Sequence, residues 1–145
     1  MSDTLLRDVV IDANVMRLYD RPKDKVFIVL FKWLRADGVL TVSQKLVMEY
    51  ARADKPQIII LIGEMQREGR YNLISTSAIR AFDADRHFKY TCNRDDISHA
   101  RTVFLSFRKK MISLDRRLVS DINKFKKIDG VKPAACTKPK CKFYA

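Results

Sequence analysis

Short apolar runs alternate along the chain with stretches of helical periodicity. Residues 7–11 and 39–42 are short and rich in β-branched residues, which is typical of buried strands. Between them, apolar residues at three- and four-residue spacing predict a helix over residues 23–36, which ends before Gly38. Because strands that alternate with helices form parallel sheets, the pattern predicts a three-layer α/β/α fold of Rossmann-like type, with a central, mostly parallel sheet.

The rest of the chain continues this alternation with less regular elements. Helices are predicted over residues 44–52, with Ser43 as N-cap, and from Pro56 to the residue before Gly69. Further elements are a weak strand over residues 71–74, a helix over 96–109, a strand over 111–114 and a short helix through Leu118 and Ile122. Residues 75–93 mix aromatic and basic residues and have no readable period.

An acidic residue follows an apolar strand at two places in the chain. Residues 9–11 lead into Asp12, and residues 111–114 lead into Asp115. Because the carboxyl ends of neighbouring parallel strands converge on one crevice, we expect Asp12 and Asp115 to lie close together. Carboxylates that are forced together repel each other unless a cation neutralises them. The pattern therefore predicts a divalent metal ion and a negatively charged substrate.

Other polar residues lie where they would join these two acids. Glu49 is on a predicted helix with apolar neighbours, and Asp96 begins another helix, with Asp95 as an alternative for the same role. Asn14 and Ser113 are small polar residues beside the strand-end acids, where they would orient a carboxylate or a metal-bound water. Each acid taken singly also has a structural explanation, because Asp is common in turns and helix caps.

Four segments of the chain resemble, in the same order, the motifs of the PIN-domain nucleases. They are residues 10–15 around Asp12, residues 41–49 up to Glu49, residues 96–100 from Asp96, and residues 113–118 around Asp115. The resemblance covers about residues 8–120. We therefore predict a PIN-like nuclease domain over residues 1–124 and a basic C-terminal tail over residues 125–145, which would pack as a last edge strand.

The resemblance implies a metal-dependent endoribonuclease that hydrolyses phosphodiester bonds in RNA. Asp12, Glu49, Asp96 and Asp115 would be its catalytic residues and would hold Mg²⁺ or Mn²⁺, with Asp12 and Asp115 as direct ligands. Such an ion lowers the pKa of bound water and neutralises charge on the scissile phosphate. A domain of this length also resembles the toxins of toxin–antitoxin pairs, which implies an acidic antitoxin partner and a homodimer.

The net positive charge of the chain also predicts a polyanionic partner. The 145 residues include 29 Lys and Arg against 17 Asp and Glu, which gives a net charge of +12. Single-stranded nucleic acid binds to basic grooves with aromatic side chains, and residues 86–90 interleave the two types. The candidate RNA contacts are Arg86, Lys89, Arg94, Arg116, Lys124, Lys126 and Lys127. The alternative explanation is that Phe88 and Tyr90 pack inward and that the lysines, including those of the tail, form a solvated charged face.

Length and hydropathy predict a single cytoplasmic domain. No apolar run reaches the length of a bilayer span, and residues 1–4 lack the features of a signal peptide. The three cysteines are an odd number, so structural disulfides are not expected. Cys136 and Cys141 are more widely spaced than a usual pair of zinc ligands.

Two other functions are compatible with parts of the pattern. A non-catalytic nucleic-acid-binding module with a PIN-like fold would explain the charge, but it would not explain the presence of every acid. A phosphatase of the haloacid-dehalogenase type also begins with an apolar strand and an Asp. That chemistry requires a second Asp two residues later, where this chain has Asn14.

Overall fold

Five parallel strands form one central sheet in the computed structural model, which describes residues 3–144. Residues 1–2 of the predicted domain and residue 145 of the predicted tail lie outside the described residues. The strands are β1 (Asp8–Ile11), β2 (Val39–Ser43), β3 (Tyr71–Ile74), β4 (Lys110–Ile112) and β5 (Ala134–Cys136), in the spatial order β3-β2-β1-β4-β5. Every neighbouring pair is parallel. The predicted three-layer α/β fold with a mostly parallel sheet is confirmed.

The middle of the sheet is buried on both faces. Every residue of β1 and β2 is buried, because helices cover both faces of a parallel sheet and leave no exposed side for polar residues. The edge strands β3 and β5 are only partly buried. This difference explains why the apolar pattern is strong for β1 and β2 and weak for the edge strands.

Helices form the two outer layers. Their bounds are α1 (Ala13–Met16), α2 (Lys25–Ala36), α3 (Gln44–Arg52), α4 (Pro56–Arg67), α5 (Thr76–Ala81), α6 (Ile97–Leu105) and α7 (Arg116–Lys124), and 3₁₀ segments lie at Asp3–Arg7, Arg94–Asp96 and Cys141–Phe143. Because crossovers between parallel strands are almost always right-handed, the strand order implies that α1–α4 lie on one face of the sheet and α5–α7 on the other. The contacts of α3 with α1 and α4, and of α6 with α5 and α7, agree with this arrangement. None of the described helices is long and apolar enough to cross a membrane.

The topological switch point of the sheet lies between β1 and β4. From β1 the chain adds β2 and β3 on one side, and it then crosses back to add β4 and β5 on the other. The register pairs Ile11 with Ile112, and the Asp12 amide donates to the Ile112 carbonyl at 2.9 Å. In open α/β sheets, ligands bind in the crevice beyond the carboxyl ends of the strands at such a point. Asp12 is therefore at the position where the fold favours a binding site.

The strand that precedes Asp115 ends earlier than the sequence predicts. The Ser113 amide still donates to the Cys136 carbonyl at 3.1 Å. Leu114 leaves the sheet and is exposed, and its amide donates to the side-chain oxygen of Asn14 at 3.1 Å. The prediction that the strand continues to residue 114 was wrong, because the apolar Leu114 belongs to a surface turn. Asp115 reaches the edge of the sheet through this turn.

Helix α6 also ends earlier than the predicted residue 109. The amides of Phe107 and Arg108 donate to the Asp8 carboxylate at 2.7 and 2.9 Å and do not continue the helix. Lys109 then adopts the left-handed conformation, with a φ of 57°. Asp8 is fully buried at the start of β1. A carboxylate about a hundred residues away in the chain thus determines how the segment leaves the helix.

The segment beyond Lys124 packs with the rest of the molecule. Phe125 and Phe143 are part of the hydrophobic core, and β5 forms one edge of the sheet. The Asn123 side chain donates to the Ala135 carbonyl at 2.9 Å and accepts from the Ala135 amide at 2.7 Å. These bonds occupy backbone groups that a further strand would use, so that Asn123 protects the edge at β5 from additional pairing.

Candidate metal centre

Asp12 lies at the carboxyl end of β1, where it also caps the short helix α1. Its Oδ1 accepts a hydrogen bond from the Ala13 amide at 2.8 Å. Its Oδ2 accepts from the Ser113 hydroxyl at 2.6 Å and from the Asn14 side-chain amide at 3.4 Å. Asp12 is only 6% exposed. Three donors therefore hold this buried carboxylate in one orientation.

Ser113 and Asn14 connect Asp12 with the turn that carries Asp115. The buried Ser113 hydroxyl donates to Asp12 and accepts from the Asp115 amide at 3.0 Å. The Asn14 side chain contacts Asp12 through its nitrogen and the Leu114 amide through its oxygen. Both residues lie where the sequence analysis expects groups that orient the acids.

Asp115 is the N-cap of α7. Its Oδ1 accepts from the amides of Arg117 and Leu118 at 3.0 and 3.3 Å, and the residue is half-buried. Asp12 and Asp115 are therefore both helix caps, which is the structural explanation of these acids. Both also follow strands at the carboxyl-end crevice of the sheet, so that capping does not conflict with a role in a site.

Asp96 faces the other acids, whereas Asp95 is exposed. Burial raises the pKa of Asp96, and the nearby carboxylates of Asp12 and Asp115 raise it further, although His99 acts in the opposite direction. Asp95 contributes its backbone carbonyl, which accepts a hydrogen bond from Lys45. Of the two alternatives for the third acid, the structure places Asp96 against the cluster.

Glu49 meets a histidine that the sequence analysis did not select. The Glu49 Oε2 on α3 lies 2.8 Å from the His99 Nε2 on α6, and His99 is completely buried. Burial would raise the pKa of Glu49, but the hydrogen bond and charge of His99, with Lys45 and Arg52 in support, lower it below its usual value. The contact joins helices from the two opposite layers at the edge of the sheet.

The sequence does contain a signal that could have identified His99. The residue follows Asp96 by three positions and directly precedes the buried Ala100. Residues three apart on a helix lie on the same face. A histidine on the inner face, one turn after a candidate site acid, was therefore a candidate for the same site.

Asp12, Glu49 and His99 together form a cluster suited to a metal ion. One ligand atom of each residue lies within 4.8 Å of those of the other two. Ligand atoms about 2.1 Å from one ion are about 3.0 Å apart when adjacent and about 4.2 Å apart when opposite. Only small side-chain movements separate the cluster from that spacing. The His99 Nδ1, on the side of the ring away from Glu49, is buried and has no hydrogen-bond partner among the described residues.

Two of the seven predicted basic contacts flank the acids. Arg94 belongs to the 3₁₀ segment that ends at Asp96, and Arg116 directly follows Asp115. Both arginine side chains are exposed. They therefore place positive charge beside the acidic cluster.

Three other predicted contacts line a basic groove at the far end of α7. The basic groove has a volume of about 500 Å³ and is lined by Arg86, Lys124, Lys126, Asp83, Ala84, His87, Phe88 and Phe125. Since α7 has nine residues, this groove lies about 13 Å from Asp115 along the helix axis. Lys89 and Lys127 are exposed and follow these residues in the chain.

The aromatic residues of this region pack inward. Phe88 contacts Phe125 and Tyr90 edge-to-face, with ring centroids 5.1 and 4.9 Å apart. The Tyr90 hydroxyl donates to Asp85 at 2.5 Å. Of the two interpretations of Phe88 and Tyr90, base stacking or inward packing, the structure agrees with inward packing, because these rings pack against the hydrophobic core. The basic side chains of the same segment are exposed.

Asp121, which the sequence analysis also missed, fixes the segment that leads to Asp96. Its carboxylate on α7 accepts from the Thr91 hydroxyl at 2.7 Å, from the Thr91 amide at 2.9 Å and from the Cys92 amide at 2.9 Å. Asp121 is completely buried. These bonds attach residues 91–92 to the same helix that Asp115 caps, so that the third and fourth acids share one support.

The fold and the site together define a parallel α/β protein with a buried cluster of acids and a histidine at its topological switch point. Among known proteins, no family model matches the chain and no curated protein matches it. The function therefore has to be argued from the chemistry of the cluster and of the charged surface around it.

Proposed function

We propose that this protein is a metal-dependent endoribonuclease of the PIN-domain type. The observation that carries the proposal is the gathering of Asp12, Glu49, Asp96 and Asp115 around the switch point of a parallel sheet. Their order along the chain agrees with the motifs that resemble the PIN domains. A group of acidic residues surrounded by basic residues is the combination that hydrolysis of a polyanionic phosphodiester requires.

The contacts of each residue in the cluster indicate the role that it would have. Asp12 and Glu49 would hold Mg²⁺ or Mn²⁺, and the bound ion would supply charge neutralisation and an acidified water. Asp115, which the sequence predicts as a direct ligand with Asp12, is not among the three residues whose ligand atoms converge. Ser113 orients Asp12 through its hydroxyl. Asp96 and Asp115 would hold a second ion or position the attacking water.

The exposed basic residues would bind the RNA backbone. Arg94 and Arg116 lie next to the acids and would contact the phosphates at the cleavage point. Arg86, Lys124 and Lys126 line the basic groove and would hold the strand further away. Because the aromatic rings beside them are packed inward, we expect this surface to bind phosphates without base stacking.

The resemblance extends the proposal to the toxin of a toxin–antitoxin pair. The net charge of +12 suits an acidic antitoxin as well as RNA. A homodimer belongs to the same analogy. Both partners stay predictions that rest on the resemblance.

The test is cleavage of single-stranded RNA and DNA in Mn²⁺, Mg²⁺ or EDTA by the wild type and by Asp12→Asn. We expect cleavage of RNA only with a divalent ion. The variant should lose at least about a hundredfold in rate, because loss of the ion removes several kcal/mol of transition-state stabilisation. The fold should persist, since an amide in place of the Asp12 carboxylate relieves repulsion from Asp96.

Asp37→Asn is the matched control for this experiment. Asp37 is exposed and precedes β2, at the opposite edge of the sheet from the cluster, so that this variant should cleave as the wild type does. Full activity of folded Asp12→Asn would contradict the proposal. Binding of RNA without cleavage under every condition would favour the non-catalytic nucleic-acid-binding module.

A further inference from the structure

His99 occupies the metal cluster in a way that an all-carboxylate site does not explain. Its ring is completely buried between α6 and α3, and its Nε2 lies 2.8 Å from the Glu49 carboxylate. This separation is close to the roughly 3.0 Å between adjacent ligand atoms of one ion, so that Nε2 is the ring nitrogen that faces the site. Nδ1 lies on the other side of the ring and is directed away from Glu49.

The same ring also approaches a second carboxylate of the cluster. One ring nitrogen lies within 4.8 Å of the ligand oxygens of both Asp12 and Glu49. A histidine that only oriented Glu49 would have no need to approach Asp12 as well. A buried imidazole beside two carboxylates has the properties of a metal ligand.

We propose that His99 is a nitrogen ligand of the ion held by Asp12 and Glu49, and that the site therefore selects a first-row transition-metal ion over Mg²⁺. Mg²⁺ prefers oxygen ligands and gives up its waters reluctantly, whereas imidazole suits the transition metals. The inference rests on the proposed metal-dependent function for its setting. It goes further by assigning the ligand that discriminates between Mn²⁺ and Mg²⁺.

The experiment measures metal binding to the full-length chain by calorimetry and by pulsed electron paramagnetic resonance with Mn²⁺. The wild type should bind Mn²⁺ more tightly than Mg²⁺ and should show hyperfine coupling to a histidine nitrogen. In His99→Gln the coupling should disappear, and the affinity for Mn²⁺ should fall by at least about tenfold. The affinity for Mg²⁺ should change much less. Glutamine can still donate a hydrogen bond to Glu49, which separates ligation from support.

His87→Gln is the matched control, because the chain has two histidines and His87 is exposed beside the distant basic groove. This variant should keep both the coupling and the affinity for Mn²⁺. In His87→Gln, His99 is the one histidine left. If His99 binds Mn²⁺, isotopic labelling of histidine nitrogen in this variant must shift the hyperfine coupling. That measurement tests His99 without altering it, even if His99→Gln fails to fold.

Two contrary results have different meanings. Binding of Mn²⁺ without histidine coupling, or an unchanged affinity for Mn²⁺ in folded His99→Gln, would overturn the role of His99. The proposed nuclease would survive that result if RNA is still cleaved and Asp12→Asn removes the ion. Absence of all divalent binding to the wild type would overturn both proposals.

Discussion

A single hydroxyl group links the two acids that end neighbouring strands. The Ser113 oxygen accepts from the Asp115 amide at 3.0 Å and donates to the Asp12 carboxylate at 2.6 Å. The second distance is typical of a charge-assisted hydrogen bond. Because Ser113 is completely buried, water cannot replace either contact. The hydroxyl therefore fixes the position of one acid relative to the turn that carries the other.

Ser113→Ala should weaken both the fold and the metal site. The substitution leaves the partly buried Asp115 amide without its acceptor and removes a donor from the buried Asp12 carboxylate, which together cost about 1–3 kcal/mol of unfolding free energy. Loss of the group that orients Asp12 should also lower the affinity for Mn²⁺ by about 10–100-fold. Urea unfolding and calorimetry measure the two effects separately.

Ser75→Ala is the control for the loss of a capping hydroxyl. Ser75 accepts from the Ala78 amide at the start of α5, after the edge strand β3, which lies two strands from β1. This variant should lose about 1 kcal/mol of stability and bind Mn²⁺ normally. Wild-type affinity for Mn²⁺ in Ser113→Ala would show that the hydroxyl does not organise the site.

At the scale of elements, α7 acts as the support for the third and fourth acids. Asp115 caps its beginning, and Asp121 on the same helix holds residues 91–92, which lead to Asp96. Burial would raise the pKa of Asp121, but the hydrogen bonds from Thr91 and Cys92 outweigh burial and lower it below its usual value. The charged carboxylate is therefore the form that the folded protein stabilises.

The stabilisation from Asp121 should depend on pH in a defined direction. Its pKa is lower in the folded state, so the contribution is complete above about pH 4, the value of an unfolded Asp. It is lost as the pH falls below that value through the folded pKa. Asp121→Asn should reduce the unfolding free energy by about 1.5–3 kcal/mol at neutral pH.

Urea unfolding of the wild type and Asp121→Asn between neutral and acidic pH measures this dependence. The difference in unfolding free energy between the two proteins should shrink below about pH 4. Asp54→Asn, in the loop after α3, serves as the control for a general loss of negative charge. A difference between wild type and Asp121→Asn that does not change with pH would contradict the role of the charged carboxylate.

At the scale of the whole molecule, positive charge surrounds a small acidic centre. The net charge is +12, and exposed basic residues lie both beside the acids and in the basic groove about one helix length away. Such a distribution attracts a polyanion over the surface. If the proposed substrate is bound, the acids are left for its reacting phosphate, and the binding of RNA should be dominated by phosphate contacts.

Phosphate-dominated binding predicts a steep dependence on salt. The logarithm of the association constant should fall with the logarithm of salt concentration by about 0.7 per neutralised phosphate on a single strand. The double variant Arg86→Gln/Lys126→Gln in the basic groove should reduce this slope by about 1.4. Fluorescence anisotropy of a labelled RNA with Asp12→Asn measures the slope without cleavage.

Lys23→Gln/Lys32→Gln is the control with the same change in net charge. Both lysines are exposed near α2, in the helical layer opposite α7, so that their removal should change the slope much less. Equal slopes for the two double variants would mean that the basic groove is not a specific contact for RNA.

The sequence by itself determined the elements whose environment is uniform along the chain. β1 and β2 are buried on both faces, so that their apolar runs identify them directly. The order of strands and helices predicted the parallel sheet, and the strand-end rule predicted the crevice at Asp12. These features depend on local periodicity and on general rules of chain topology.

Only the tertiary structure decided which distant groups meet. His99 contacts Glu49 across 50 positions of sequence, and Asp121 contacts Thr91 across 30. The amides after α6 bind Asp8 about 100 positions away and determine how the chain turns there. Local propensity contains no information on such pairs, because a buried polar group is stabilised by whichever partner the packed layers bring within hydrogen-bonding distance.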